Sequence, residues 1–199
     1  MIAALFVEPG GCYFGLPDVD PWDKTRDARL YAGPWPVVAH PPCERWGRFA
    51  TRGGARLGDD AGCFDAALAA VRRWGGIIEH PADSGAWKRF GLPVPDRYGW
   101  RRDLFGVSVC AVEQGHYGHP ARKATWLYHV GVSYPPDLIW GASPQRLPAK
   151  RLAERGYESA RRCGACSNLS SRQRQRTPPL FRDVLLAIVR TSLQQERAA

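Results

Sequence analysis

The chain has 199 residues, 44% apolar and 24% charged, which is enough for one domain with a real core and excludes wholesale disorder. No apolar run approaches the roughly 20 residues that span a bilayer, and the opening residues lack the basic start of a secretory leader. The expectation is therefore a protein of a reducing, cytoplasmic compartment with no membrane contact. The formal charge is +9, and residues 150–176 hold eight Lys and Arg against two Glu. Such a cluster points to a polyanion partner, DNA first, with a solvated basic tail as the plain alternative.

In chain order, Ile2 to Val7 is a short apolar run closed by Glu8-Pro9-Gly10-Gly11, the pattern of a buried strand and a tight turn. Residues 15–35 show no clear period and are expected to be loop, or one short helix near Lys24–Leu30. Pro36 to His40 reads as a central strand cut off by Pro41-Pro42. A helix is expected to start near Asp59 or Asp60, either of which can cap it. Phe64, Ala67, Leu68, Val71 and Trp74 recur at three- and four-residue spacing on one face. Arg72 and Arg73 suit its last turn, and Gly75-Gly76 ends it. Gly76 to Pro81 is a second apolar strand closed by proline.

This strand–helix–strand unit predicts a parallel pair whose carboxyl ends share one edge of a sheet. Ligands bind beyond that edge in open α/β sheets, so Cys43 and Glu79 become candidate neighbours by topology. Residues 107–114 and 123–130 read as an antiparallel hairpin. Its tip, with Gln114, His116 and His119, is either a loop that touches substrate or ordinary turn chemistry. Residues 131–149 read as loop. Thr177 and Pro178 open a last helix with an apolar stripe from Phe181 to Leu193. The fold class expected is α/β, Rossmann-like, with a mostly parallel sheet, helices on both faces and an antiparallel hairpin at the edge. Residues 1–149 would form the core, and residues 150–199 a basic segment plus a helix packed on it.

Several residues could carry chemistry. A cysteine placed by Pro41-Pro42 at a strand end is a candidate nucleophile, because a thiolate attacks well even when partly ionised; its plain reading is a small buried hydrophobe. Glu79 ends an apolar strand, where burial would raise its pKa and suit it to donate a proton or hydrogen bond. As a pair they fit pyrimidine chemistry. A ring inert at C5 becomes reactive there once a thiolate adds to C6 and an acid holds N3. Trp46, three residues past Cys43, could stack on a flipped base or simply pack. Cys163-x-x-Cys166 is half a zinc site without a second close pair, and no metal is expected.

The same residues carry a resemblance. Val38 to Cys43 resembles the strand-end Pro-Pro-Cys motif of DNA cytosine C5 methyltransferases, closest to compact phage-type members. Ile77 to Pro81 resembles their Glu-Asn-Pro/Val motif, with His80 where Asn is usual. Arg122 to Thr125 is similar to the basic segment against the target base, and Leu5 to Gly11 to the first glycine loop. The resemblance implies Cys43 as nucleophile, Glu79 at N3 and Arg122 in the catalytic set. It implies Phe6, Glu8, Gly10, Gly11 and Pro41 around S-adenosylmethionine, and Pro42, Trp46, His80, Gln114, Lys123 and Thr125 on the substrate side. It departs from the family in several ways, among them that the C-terminal cofactor-closing motif is not visible. Glu8-Pro9 interrupts the glycine loop, and only about 35 residues separate that loop from Pro41. The ribose-binding acid has no clear counterpart, and no recognition domain is present. A transferase with another donor, or a non-catalytic DNA-binding protein on the same fold, are the alternatives.

Overall fold

The computed structural model describes residues 1–47, 50–51, 56–144, 149–163 and 169–196, with side chains left undescribed at 149–151, 161–163, 171 and 192–196. It is a mixed α/β structure built on one seven-stranded sheet. The strands are β1 (Ile2–Leu5), β2 (Val19–Trp22), β3 (Val37–Ala39), β4 (Gly76–Pro81), β5 (Arg101–Arg102), β6 (Val107–Glu113) and β7 (Ala124–Val130). Their spatial order is β2-β1-β3-β4-β7-β6-β5. Neighbours from β2 to β4 are parallel, and those from β4 to β5 are antiparallel. The mostly parallel sheet expected is thus parallel in one half only. The hairpin is not a marginal edge, because β7 pairs with β4 along six residues.

The strands alternate their side chains between two cores, as period-two geometry requires. Ile2, Ala4, Val38, Ile77, Cys110 and Leu127 face one side. There the last helix, α5 (Pro179–Glu196), covers them with Phe181, Leu185, Leu186, Ile188 and Val189. Ala3, Leu5, Val37, Ala39, Ile78 and Tyr128 face the other side. There α1 (Cys63–Trp74) buries Phe64, Ala67, Leu68 and Val71. Asp60 caps α1 from outside it, accepting from the amides of Gly62 at 3.1 Å and Phe64 at 2.9 Å. Gly76 is needed where β4 begins: its φ is +123° and a Cβ there would sit 2.0 Å from the Val37 carbonyl oxygen.

Strand β2 and the short helix α2 (Gly85–Arg89) lie where no periodicity announced them, β2 because its four residues include Pro21 and Asp20. Only Ala28–Leu30 of the expected early helix is helical, as one 3-10 turn. Within the basic stretch, α3 (Ala149–Cys163) is broken at Gly156, and α4 (Ser171–Gln175) starts at a Ser170 capping box. Pro179, not Pro178, is the first residue of α5; the Pro178 carbonyl accepts from the Arg182 amide at 3.0 Å. Among the described residues no helix is long and apolar enough to cross a membrane.

Candidate functional site

The chain goes from β1 to β2 on one side and then crosses to β3 on the other, so the order reverses at β1. In open α/β sheets this reversal leaves a crevice beyond the carboxyl ends of the two strands. A cleft of about 590 Å³ opens there, lined by Phe6, Glu8 and Gly11 after β1, by His40 to Glu44 after β3, and by Glu79 and Pro81 of β4. The antiparallel hairpin contributes Lys123, because β6 ends and β7 begins at this same edge. Two non-glycine residues with positive φ, Phe6 at 58° and Lys123 at 45°, both line it. Strained backbone of this kind is held where surrounding structure over-determines it, commonly at binding sites.

The cleft brings together Cys43, Glu79, Lys123, Pro41 and Pro42, with Phe6, Glu8 and Gly11 on the β1 side. Gly10 is not among its lining residues. Five further expected site residues are placed elsewhere. Trp46 is 4% exposed and packs between Phe64 and Phe90, its Nε1 donating to Asp60 at 2.8 Å, so it has no face to offer a base. His80 is 1% exposed and lies against Phe64 and Trp87, because strand alternation sends it to the face opposite Glu79. Burial lowers its pKa to about 4, so it is a neutral core imidazole. Arg122 lies outside the cleft, 3.9 Å from Glu113, while the next residue's positive φ turns Lys123 inward. Gln114 and Thr125 do not line the cleft; they stand behind Glu79.

That support is a continuous hydrogen-bond chain. Thr125 Oγ1 donates to the Lys123 carbonyl at 3.0 Å and accepts from Gln114 Nε2 at 3.0 Å; the same amide donates to Glu79 Oε1 at 2.9 Å. On the other carboxylate oxygen, His40 Nδ1 lies 2.9 Å away, and His40 Nε2 lies 2.8 Å from the Tyr13 hydroxyl. A carboxylate cannot donate, so Nδ1 carries the proton, and in the neutral ring Nε2 accepts from Tyr13. Burial raises the Tyr13 pKa well above its usual value, which keeps the hydroxyl protonated.

The expectation for Glu79 is overturned by this chain. Burial does push its carboxyl up, but the His40 hydrogen bond and the Lys123 ammonium outweigh that and lower it to about 2. Glu79 is an ionised acceptor, not a proton donor. Cys43 also differs from the expected partly ionised thiol. Burial and the Glu79 charge raise its pKa, with Lys123 opposing, so at neutral pH it is a protonated thiol.

His40, Tyr13, Cys12 and Lys24 were not anticipated. His40 had a readable signal. It stands two residues after Val38 as Glu79 stands two after Ile77, and Val38 pairs with Ile77 in the parallel register. Extending that ladder by two residues sets the two side chains side by side on one face. Arg172, Arg174 and Arg176 of the basic stretch reach the mouth of the cleft. Lys123 Nζ donates to the carbonyls of Gln175 at 2.8 Å and Arg176 at 3.0 Å, and Arg172 pairs with Glu8 at 2.7 Å. His116 lies 3.2 Å from the Gly141 carbonyl and His119 bonds within its own turn, so neither lines the cleft.

Two features of this edge weigh against the S-adenosylmethionine expectation. The carboxylates that could take a ribose diol are already engaged: Asp23 by Thr25, Asp20 by Arg26 and Glu8 by Arg172. The lining holds five Lys and Arg against three Glu, an unfavourable field for a cationic sulfonium. Among the described residues no group of three or more His, Cys, Asp or Glu is placed to hold a metal; the Cys163 side chain and Cys166 lie outside the described residues. Compared with protein-family models, curated proteins and solved structures, the chain matches none.

Proposed function

We propose that the protein is an enzyme that modifies a pyrimidine base of DNA at C5, through addition of the Cys43 sulfur to C6. The observation that carries this reading is the placing of the Cys43 thiol, the Glu79 carboxylate and the Lys123 ammonium on one cleft at the sheet's switch point. Addition forms the S–C6 bond as the Cys43 thiol releases its proton to water in the open cleft, and moves the C5=C6 electron pair toward the ring's exocyclic oxygen. Lys123 is the cation beside the site that stabilises this charge. Glu79 holds the ring edge, fixed by His40 and Gln114. Once C5 has taken an electrophile from its donor, whose leaving group departs with the bonding electrons, C5 gives up its proton to water, and the restored double bond expels the thiolate, which takes a proton back from water. The resemblance supports the thiolate route; the charge of the cleft favours a donor other than S-adenosylmethionine.

DNA is the partner this reading assigns. Arg172, Arg174 and Arg176 stand where a phosphate backbone would pass a base entering the cleft, and such contacts fix register without reading sequence. A base in a duplex would have to be flipped out. The test is mass spectrometry of nucleosides from DNA co-expressed with the protein, which assumes no donor. A modified pyrimidine nucleoside is expected with the wild type and none with Cys43→Ser. Unmodified DNA from both, with salt-sensitive DNA binding intact, would replace the enzyme by a binding protein.

A further inference from the structure

We propose that the ring selected by the cleft carries a hydrogen on N3, so that the substrate is a 4-oxopyrimidine of the uracil class, with hydrogen at C5, rather than cytosine. This rests on the C5-modification reading and names its substrate.

The argument starts from what each polar atom facing the ring can do. Glu79 accepts from His40 on one oxygen and from Gln114 on the other. The Gln114 orientation is not free. Thr125 spends its hydroxyl hydrogen on the Lys123 carbonyl and can only accept from Gln114, so the amide nitrogen faces both Thr125 and Glu79. With a donor on each oxygen and the Lys123 ammonium on the same cleft, Glu79 is held as the carboxylate. What remains for a ligand is acceptor lone pairs alone. Lys123 is the opposite case: two of its three N–H groups are taken by the carbonyls of Gln175 and Arg176, leaving one donor on the cleft that Glu79 also lines. The cleft therefore presents an acceptor next to a donor.

The imide edge of uracil or thymine, N3–H beside a carbonyl oxygen, meets that pair in its ordinary neutral form. Cytosine offers a lone pair at N3 instead. Opposite Glu79 it would set two acceptors against each other, a mismatch that buried hydrogen-bonding sites reject strongly. The addition step points the same way. Attack at C6 of cytosine needs a proton delivered to N3, and the group placed there has none to give. Attack at C6 of a 4-oxo ring sends the electron pair to O4 as an enolate, which the Lys123 ammonium can stabilise with no proton supplied at N3.

The test is calorimetric binding of dTMP, dUMP and dCMP to the whole protein, with Glu79→Gln in parallel. The wild type should bind dUMP at least about tenfold more tightly than dCMP, with dTMP reporting the same imide edge on a ring blocked at C5. Glu79→Gln, whose amide can donate to a ring acceptor, should shrink or invert that ratio. Should that variant fail to fold, the wild-type ratio decides alone. Equal or tighter binding of dCMP by the wild type overturns the 4-oxo assignment and leaves C5 modification standing. If no nucleotide binds and co-expressed DNA carries no new nucleoside, the reading beneath it fails and the assignment falls with it.

Discussion

The parallel and antiparallel halves of the sheet contribute to the cleft in different ways. The parallel half has short strands, three residues in β3 and six in β4, each running into proline. Beyond their ends it sets out the groups that would meet a ligand: Phe6, His40, Cys43 and Glu79. The antiparallel half has two seven-residue strands, and at the cleft edge it supplies Lys123 and, behind Glu79, Gln114 and Thr125. One half displays the reactive groups, and groups from both, His40 from the parallel half and Gln114 and Lys123 from the antiparallel, fix the charge and orientation of Glu79. A carboxylate at a strand end becomes defined only when donors from the neighbouring ladder close around it.

The sharpest way to break this division is to remove the displayed sulfur. Cys43→Ser should eliminate covalent trapping on DNA carrying a 5-fluoropyrimidine, with DNA affinity unchanged, while Cys12→Ser on the same cleft should leave trapping in place. A Cys43→Ser protein that still forms the adduct would take the chemistry away from the parallel half. The acid limb of stability is the next largest effect. His80 is held neutral in the fold down to about 4, whereas an unfolded imidazole protonates near 6.5. The unfolded chain takes up the proton first as pH falls from 6.5 to 4, so stability is lost across that window, on the order of 3 kcal/mol at its foot. Glu79, lowered to about 2, adds a further loss as pH falls from 4.5 toward 2. His129, also held neutral to about 4 by burial, contributes over the same window, so His80→Phe should shrink the first limb by about half in denaturant titrations and leave the second.

Removing support behind the carboxylate is a smaller change. Gln114→Leu withdraws one donor from Glu79 and leaves a buried acceptor short, at a cost of about 1–3 kcal/mol. The acid limb assigned to Glu79 should shift to higher pH, which chemical denaturation at several pH values would show. If that limb stays fixed, the antiparallel half is scaffold and nothing more.

The sequence carried β1, β3, β4 and α1 because their signals are local. Apolar runs closed by proline and the amphipathic stripe of α1 are both read within a window of a dozen residues. Cys43 and Glu79 came to one cleft because the strand–helix–strand unit constrains where strand ends lie. The misplacements share one physical cause: the orientation of a side chain was inferred from its place in a motif. His80 follows Glu79 directly, so a pleated strand sends it into the opposite core. Arg122 precedes Lys123, and a single positive φ separates their directions. Trp46 was drawn inward by Phe64, Phe90 and Asp60, partners that no spacing near Cys43 discloses. The ionised state of Glu79 was hidden for the same reason, since its donors lie 39 and 35 positions away in the chain.

One ammonium serves two masters. Lys123 sets the field around Glu79 and also ties down the final carbonyls of α4, which hold the arginines over the entrance. Any substitution at that position would disturb electrostatics and tether together, so the resulting phenotype would have no unique parentage. Dissecting grip from reactivity must instead start at Arg172, whose 2.7 Å ion pair with Glu8 is tied to no other member of the hydrogen-bond chain.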